Sequence, residues 1–471
     1  AMRLIYRRLQ HFPVPEWERK VWALDARINE RGVLVDTELA QAAIDVDAAF
    51  TEEHATEMRQ LTGLDNPNSV AQLKAWLETV GLPCESLNKE ALVDLKAKAI
   101  DPTTRRVLEL RQLLGKTSTK KYEAMTSAVG KDHRVRGLLQ YYGAGRTGRW
   151  AGRLVQVQNL PQNHLAQIDK VRELVRDRDL ETLEMCFDNV PDVLSQLIRT
   201  AFIAKPGHTF LVADYAAIEA RVIAYLAGEK WRQEVFAQGG DIYCSSASQM
   251  FKVPVVKHGE NGHLRQKGKI AELACGYGGG VGALKAFGAD KMGLTEDEML
   301  QIVNQWRQAS PTIPRFWRDA ENAAKRALEN PGRTFTLPCG VKYLRDANAL
   351  RCRLPSGRIL SYWGARLENG SIVFMGRNQT TRKWEKTETW GGKLVENIVQ
   401  AVARDCLAVA LLRLDEAGYS ITFHVHDEII AEAPEGSRWE DMAEIMGRPI
   451  DWAPGLLLRG DGYSTKFYMK D

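Results

Sequence analysis

Near the end of the chain, an acidic pair interrupts the pattern of an apolar β-strand. In HVHDEII, residues 424–430, Asp427 and Glu428 stand in a run that predicts a strand of the hairpin ITFHVHDEIIAEA. Successive strand side chains point to opposite faces, so both carboxylates cannot face water if the sheet is covered. Burying a carboxylate is costly unless a cation or hydrogen-bond donors meet it. Either the pair marks a strand end or hairpin tip, or the fold brings positive charge to it.

A second acidic element, VADYAAIEAR, places Asp214 where a strand gives way to a helix. A carboxylate at such a junction is held by rigid structure on both sides. Asp214 and Asp427 are more than two hundred residues apart, yet they could converge on a pair of magnesium ions. Hard cations prefer oxygen ligands, and two ions about 3.5–4 Å apart can hold the attacking and leaving oxygens of a phosphoryl displacement.

The segment RQKGKIAELACGYGGG carries a basic pair and an aromatic residue. Arg265 and Lys269 share one helix face, about 6 Å apart along the axis, which suits successive phosphates of a nucleoside triphosphate. A basic surface face is the alternative. Tyr277 lies among glycines, where it could stack on a base. These glycines end a helix and do not open one, so they are not a dinucleotide fingerprint.

Composition sets broad limits. A chain of 471 residues can form two or three domains or one multi-lobed domain. It contains no apolar stretch long enough to span a membrane, and its seven cysteines lack CxxC spacing. This predicts a cytoplasmic protein without a zinc site or a disulfide framework. The net charge of +4 leaves room for strong local patches.

The pattern along the chain predicts helices over most of residues 37–128 and a β-rich segment at 333–391. A long helix over about 393–417 follows. Lys116, Lys120 and Lys121 end the first helical block, either as a solvated helix end or as a phosphate-binding patch.

Five segments in a fixed order resemble family A DNA polymerases, the bacterial DNA polymerase I type and especially its phage-encoded branch. They are TGRWAGRLVQVQNLPQ, DYAAIEAR, RQKGKIAELACGYGG, NIVQAVARDCL and HVHDEI. The resemblance runs from about Trp17 to the end of the chain. It implies an α+β right-hand fold with an antiparallel palm sheet, helical fingers and a helical thumb. The implied divisions are 1–36 (N-terminal segment and start of the palm), 37–138 (thumb), 139–228 (palm), 229–392 (fingers, with the β-rich segment) and 393–471 (palm).

The resemblance also implies template-directed DNA synthesis with two Mg²⁺ ions, for which Mn²⁺ can substitute. The implied metal ligands are Asp214, Asp427 and the carbonyl of Tyr215. The implied catalytic residues are the two aspartates, Glu428 as an auxiliary acid, and Lys269 as a proton donor to pyrophosphate. The implied nucleotide-binding residues are Arg265, Lys269, Leu273, Tyr277, Tyr243 and Glu219, the last as a steric gate against the ribose 2′-hydroxyl. The implied DNA-binding residues are Arg149, Gln158, Asn159, Gln400 and His426, to which the basic cluster adds Lys116, Lys120 and Lys121.

The chain departs from the family pattern at several positions. Leu273 stands where the family usually has Phe or Tyr, and Tyr243 replaces the usual His. Ala216 and Ala217 replace a common Ser-Gln pair. Sugar discrimination therefore cannot be assumed to be typical of the family.

The predicted partners are primer–template DNA and dNTPs, with the protein acting as a monomer. Two rival functions are a single-subunit RNA polymerase, which Glu219 argues against, and a DNA-binding clamp without chemistry, which the intact aspartates argue against. Patterns at Asp36-Thr37-Glu38 and at 164–169 resemble parts of a 3′–5′ exonuclease site. No convincing middle motif joins them, so we do not expect proofreading by this chain.

Overall fold

The computed structural model describes residues 2–10, 14–115, 119–378 and 381–470. Within these residues, helices and antiparallel strand pairs form a mixed fold, which confirms the α+β prediction. None of the helices in these ranges combines the length and the apolar character needed to cross a membrane.

The first part of the chain is helical, as the sequence predicts. Side chains of Asp36, Ser69, Asn88 and Asp101 each accept a backbone N–H at a helix start, which satisfies a donor that the helix leaves free. The helices are α1 (Met2–Leu9), α2 (Glu16–Arg31), α3 (Thr37–Thr62), α4 (Val70–Thr79), α5 (Lys89–Lys98), α6 (Pro102–Leu114) and α7 (Lys120–Ala128).

Helices α3 to α6 bury an apolar cluster of their own that includes Met58, Leu73, Leu95 and Leu108. A separate small sheet joins β1 (Val33–Val35), β2 (Arg134–Val135) and β5 (Phe202–Ile203) in the order β2-β1-β5. A two-stranded hairpin follows, formed by β3 (Leu139–Ala144) and β4 (Arg149–Gly152).

Asp36, which begins one of the exonuclease-like patterns, has a structural role. Its carboxylate caps α3 by accepting the N–H of Leu39, and it forms ion pairs with Arg172 and Arg176. Only 6% of the residue is exposed. Because two guanidinium groups and a helix N-terminus already meet this carboxylate, its burial requires no metal ion.

The middle of the chain is mostly helical. Its helices are α8 (Ile168–Arg176), α9 (Leu180–Cys186), α10 (Val190–Leu197), α11 (Ile218–Ala227), α12 (Lys230–Ala237), α13 (Ile242–Phe251), α14 (Leu264–Cys275), α15 (Val281–Ala286), α16 (Glu296–Ala309) and α17 (Thr312–Glu329).

Two larger sheets complete the fold. The predicted β-rich segment forms a six-stranded meander sheet of β7 (Thr334–Thr336), β8 (Lys342–Asp346), β9 (Ala349–Arg353), β10 (Ile359–Glu368), β11 (Ser371–Arg377) and β12 (Trp384–Thr389). The central sheet has the order β13-β14-β6-β15, with β6 (His208–Tyr215), β13 (Ser420–Val425), β14 (Glu428–Pro434) and β15 (Gly460–Thr465). Helix α18 (Gly391–Glu416) packs against α2, α11 and α17, and α19 (Trp439–Gly447) packs against β6 and β15.

Candidate active site

The central sheet brings the two acidic elements together. Asp214 of β6 lies directly opposite Glu428 of β14 in the antiparallel register. The prediction that residues 424–430 form one strand is wrong, because β13 ends at Val425 and β14 begins at Glu428. His426 and Asp427 form the two-residue turn between them. A tight turn, and not strand alternation, therefore directs the side chain of Asp427.

Gln158 fixes this turn from a distant part of the chain. The backbone N–H of His426 donates to Oε1 of Gln158 (2.8 Å), and Nε2 of Gln158 donates to the carbonyl of His424 (3.2 Å). Nε2 of His426 also lies 3.1 Å from the carbonyl oxygen of Gln158. His426 has a φ of 55°, in the left-handed region that few residues other than glycine adopt. The hydrogen bonds from Gln158 stabilise this unusual turn next to Asp427.

Replacement of Gln158 by Leu should therefore slow primer extension, because the turn that carries Asp427 loses two side-chain hydrogen bonds. We expect a decrease of about 10- to 100-fold in the single-turnover rate, as small displacements of reacting groups cost this much. DNA affinity should change little. Asn159→Ala is the matched control, because Asn159 is the next residue in the chain and its side chain is exposed. A loss of DNA affinity with an unchanged rate would instead make Gln158 a DNA contact.

The carboxylates of Asp214 and Asp427 are half-buried, and neither accepts a hydrogen bond from another side chain or forms an ion pair within the described residues. Burial and the neighbouring Asp214 raise the pKa of Asp427 to about 6. Burial also raises the pKa of Asp214, although the charge of Lys470 opposes this shift. Two adjacent carboxylates without an ion-pair partner among the described residues fit a divalent ion.

The described part of the chain contains no group of three or more His, Cys, Asp and Glu side chains arranged to hold one ion. The two aspartates would therefore need backbone, substrate or water oxygens to complete a metal site. Tyr215, the predicted backbone ligand, follows Asp214 directly, and its N–H donates to the carbonyl of Asp427 (3.3 Å). Its side chain is buried on the far side, where its hydroxyl donates to the carbonyl of Met446 (3.0 Å).

In metal-free protein, Asp427→Asn should remove a pH-dependent loss of stability. The carboxyl has a pKa near 3.8 when unfolded and about 6 when folded, so the unfolded chain loses this proton first as the pH rises. The contribution of this carboxyl to the free energy of unfolding is thus fully present below about pH 4 and is lost as the pH rises through 6. We expect the asparagine variant to gain roughly 2 kcal/mol over wild type between about pH 4.5 and 7.5. Urea unfolding in EDTA measures this gain, with Asp65→Asn as the exposed control. An equal pH dependence in both proteins would contradict it.

Glu428 is supported by a buried chain of polar groups. Its Oε1 accepts the hydroxyl of Tyr468 (2.6 Å), and this hydroxyl accepts an N–H of Arg199 (2.6 Å). Burial raises the pKa of Glu428 to about 7, which Lys470 and Tyr468 only partly offset. The sequence reasoning missed Arg199, Tyr468 and Lys470. The terminal segment GDGYSTKFYMKD contains two of them, but no spacing in it singles them out.

One face of α14 carries Arg265, Lys269 and Leu273 at intervals of four residues. Nε of Arg265 donates to Asp241 (2.8 Å), and its guanidinium lies 5.3 Å from the ring centre of Tyr243. Lys269 has no hydrogen-bond or ion-pair partner among the described residues, and Leu273 is 45% exposed. This face of α14 therefore presents the ammonium of Lys269 and the exposed side chain of Leu273. The guanidinium of Arg265 on the same face is paired with Asp241.

At the end of α14, Tyr277 is tied to the predicted steric gate. Its hydroxyl donates to one carboxylate oxygen of Glu219 (2.6 Å), and an Nη of Arg149 lies 3.8 Å from the other. Arg149 also approaches Nδ1 of His426 (3.5 Å). Glu219, Arg149 and His426 border a cavity of about 90 Å³ beside Asp427. Its other lining residues include Trp150, Gln158, Ile218, Gln400, Ala403, Arg404 and Leu407.

A sequence model described as DNA polymerase family A matches residues 38–456 of the chain. The chain belongs to DNA polymerase family A. The predicted family is thereby confirmed, and this enzyme is a DNA-directed DNA polymerase.

Relatives extend the comparison. This family A polymerase is 51% identical to the DNA polymerase of Bacillus phage SP02, over all of this chain and 73% of that protein. It is 23% identical to the DNA polymerase of Mycobacterium phage D29, over 93% of this chain and 60% of that one. Its fold resembles the POL domain of Pol1 from M. smegmatis, solved in complex with DNA primer-template and dNTP. That match has a TM-score of 0.63 and 19% identity, and covers 95% of this chain and 69% of the other.

Among the predicted DNA contacts of this polymerase, some have partners within the protein and others are exposed. The ammonium of Lys121 donates to the carbonyl of Val155 (2.7 Å), whereas Lys120 is exposed and Lys116 lies outside the described residues. Asn159 is exposed, and the amide of Gln400 lies 3.5 Å from Glu396. A shared phosphate-binding role for the three lysines therefore stays a prediction.

Proposed function

We propose that this polymerase extends a primer 3′-hydroxyl on a DNA template, taking dNTPs, through a two-metal-ion nucleotidyl transfer. The observation that carries the proposal is the pair of half-buried carboxylates, Asp214 and Asp427, that converge from distant segments without a cationic hydrogen-bond partner. Two Mg²⁺ ions, or Mn²⁺ in their place, would neutralise charge on the attacking and leaving oxygens. The aspartates and the carbonyl of Tyr215 would hold them.

The right-hand division follows from the same proposal. The central sheet is the palm, with residues 1–36, 139–228 and 393–471, and the helices of residues 37–138 are the thumb. Residues 229–392 are the fingers, with the meander sheet as an elaboration. This arrangement would place α14 opposite the aspartates, where its cationic face meets the triphosphate.

The protein supplies mainly position and charge to this reaction. Lys269 would bind the triphosphate and give a proton to the pyrophosphate. Arg265 would exchange Asp241 for a phosphate, because its guanidinium already points along the same helix face. Glu428 would stay near the site as an auxiliary acid held by Tyr468, and His426 would lie close to the primer terminus.

Sugar selection tests whether the cavity beside Asp427 receives the sugar of the incoming nucleotide. Glu219 borders it and is fixed by Tyr277 and Arg149, so its side chain can form a wall against a 2′-hydroxyl. We expect Glu219→Ala to raise ribonucleotide incorporation by about 10- to 100-fold, the effect of removing a 1–3 kcal/mol barrier. Leu273→Tyr is the matched control, and it should alter dideoxynucleotide use more than ribonucleotide use because it adds an aromatic face. Competitive incorporation of dNTP, rNTP and ddNTP measures both.

Unchanged exclusion of ribonucleotides in Glu219→Ala would show that the gate lies elsewhere. A gain in ribonucleotide use by Leu273→Tyr that equals the gain by Glu219→Ala would also contradict this placement, since the two side chains would then act as one wall.

Primer extension with dNTPs or rNTPs, with and without Mg²⁺, tests the proposed function directly. Extension that requires dNTPs and a divalent ion supports it. Efficient extension with rNTPs would indicate an RNA polymerase, and DNA binding without extension would indicate a clamp.

A further inference from the structure

The meander sheet is the positive region of this molecule. Residues 333–390 contain eleven Arg and Lys residues and four Asp and Glu residues, which gives a net charge of +7. The whole chain has a net charge of +4, so the remaining residues together carry −3. Basic charge is thus concentrated in the segment that forms this sheet, and none of the residues that line the cavity of the candidate active site belongs to it.

Only one face of this sheet is needed for the core. Tyr343, Leu350, Tyr362 and Phe374 point inward and are buried in the main apolar cluster. The alternate positions point outward, because successive strand side chains face opposite sides. The outward cationic side chains are Lys342, Arg351, Arg353, Arg366, Arg377 and Lys386.

Two tryptophans lie among these cations. Trp363 of β10 is 46% exposed, and the guanidinium of Arg351 lies 4.7 Å from its ring centre. Trp384 of the edge strand β12 is 61% exposed. Exposed indole rings interleaved with cations form a surface on which unpaired bases can stack while the cations meet phosphates.

The same face also carries three acidic residues, Asp346, Glu368 and Glu388, against its six cations, so its net charge is +3. Asp346 pairs with Arg351 (2.9 Å), and Glu368 pairs with Arg366 and Lys386. Lys342 and Arg353 are adjacent in the strand register, exposed, and without an ion-pair partner among the described residues.

The sheet is attached to the hairpin that carries Arg149. Arg358, in the turn between β9 and β10, is buried and donates to the carbonyl of Thr147 (2.7 Å). Its Nε also pairs with Asp405 of α18 (2.7 Å). These buried contacts attach the sheet to the body of the polymerase and leave its outward face free of them.

We propose that the outward face of the meander sheet binds single-stranded DNA. Its charge complements phosphates, and its exposed indole rings require bases that are not already stacked inside a duplex. The binding site would be separate from the primer–template site and would hold unpaired DNA close to the enzyme.

The test is fluorescence anisotropy of a labelled oligothymidylate of about 25 nucleotides, longer than one such binding site. The polymerase is first saturated in EDTA with an unlabelled blunt hairpin duplex, so that the primer–template site is filled. Trp363→Ala/Trp384→Ala should weaken binding at least about tenfold. Lys342→Ala/Arg353→Ala should lower the salt dependence of log affinity by about 1.4, since each phosphate contact on single strands contributes roughly 0.7.

Matched controls are Trp22→Ala, which removes a 58% exposed tryptophan of α2, and Lys466→Ala, which removes an exposed lysine near the C-terminus. Both should bind the oligonucleotide like wild type. Primer extension on a template with a one-nucleotide overhang reports folding, and all variants should retain it. If the double tryptophan variant loses extension, the single variant Trp384→Ala, at the sheet edge, replaces it in the binding assay. It should also weaken oligothymidylate binding at least about tenfold.

Unchanged oligothymidylate binding in both double variants would overturn the proposal. Tighter binding of polyglutamate than of oligothymidylate, lost in the same variants, would overturn it in favour of an acidic protein partner. Because the assay needs neither nucleotide nor metal, its outcome is independent of the proposed polymerase reaction.

Discussion

Asp214→Ala and Asp427→Ala should each lower primer extension at least about a thousandfold, equivalent to roughly 4 kcal/mol of transition-state stabilisation. Each change removes one of the two carboxylates that converge at the end of the central sheet. The remaining aspartate cannot hold both ions in position. Primer–template affinity should stay within about threefold, because the basic groups that meet phosphates are unchanged.

Asp441→Ala is the control for these variants, since it removes an exposed carboxylate from α19 near the same sheet. A second measurement separates metal binding from misfolding. Added Mg²⁺ should raise the melting temperature of wild type and of Asp441→Ala but not that of the other two, because ligand binding to the native state stabilises it. If Asp214→Ala or Asp427→Ala keeps more than about a tenth of wild-type activity, the assignment of the metal ligands is wrong.

Lys269→Ala should have the next largest effect, with the single-turnover rate falling about 100- to 1000-fold and nucleotide affinity also falling. An ammonium without a partner within the described residues can serve both the bound triphosphate and the proton demand of the leaving pyrophosphate. General acids contribute about 10²–10⁴-fold. Arg265→Ala should act mainly on nucleotide affinity, because its guanidinium starts from an ion pair with Asp241. Single-turnover kinetics over a range of dNTP concentrations separates the two effects.

Lys267→Ala is the control on the same helix, because its ammonium lies over the ring of Phe251 and away from the Arg265–Lys269 face. It should leave both nucleotide affinity and rate close to wild type. Equal losses of DNA affinity in Lys269→Ala and Arg265→Ala, with nucleotide affinity intact, would place this face on the duplex.

The family and most of the elements could be predicted from the sequence because they depend on local patterns. Alternating and helical apolar spacing predicted the long helix α18, the helical block after Thr37 and the β-rich segment. The order of five motifs predicted the family, and with it the convergence of Asp214 and Asp427. The structure confirms the elements and brings the two aspartates to one end of one sheet.

The position of the hairpin turn was not predicted correctly. Strands β13 and β14 are buried on both faces, so their apolar residues give no alternation that would reveal where the chain reverses. Neither Gly nor Asn marks the turn, whose first residue is His426. Its unusual backbone is stabilised by Gln158, which is 268 residues away in the chain.

The sequence by itself determined which residue types stand in which motif, and therefore the family and the candidate catalytic groups. Only the tertiary structure decided what each side chain contacts. Asp241 holds Arg265, Tyr468 supports Glu428, and the carbonyl of Val155 accepts Lys121. The physical reason is that the partner of a polar group is selected by the packing of segments far apart in the chain, which no local spacing records.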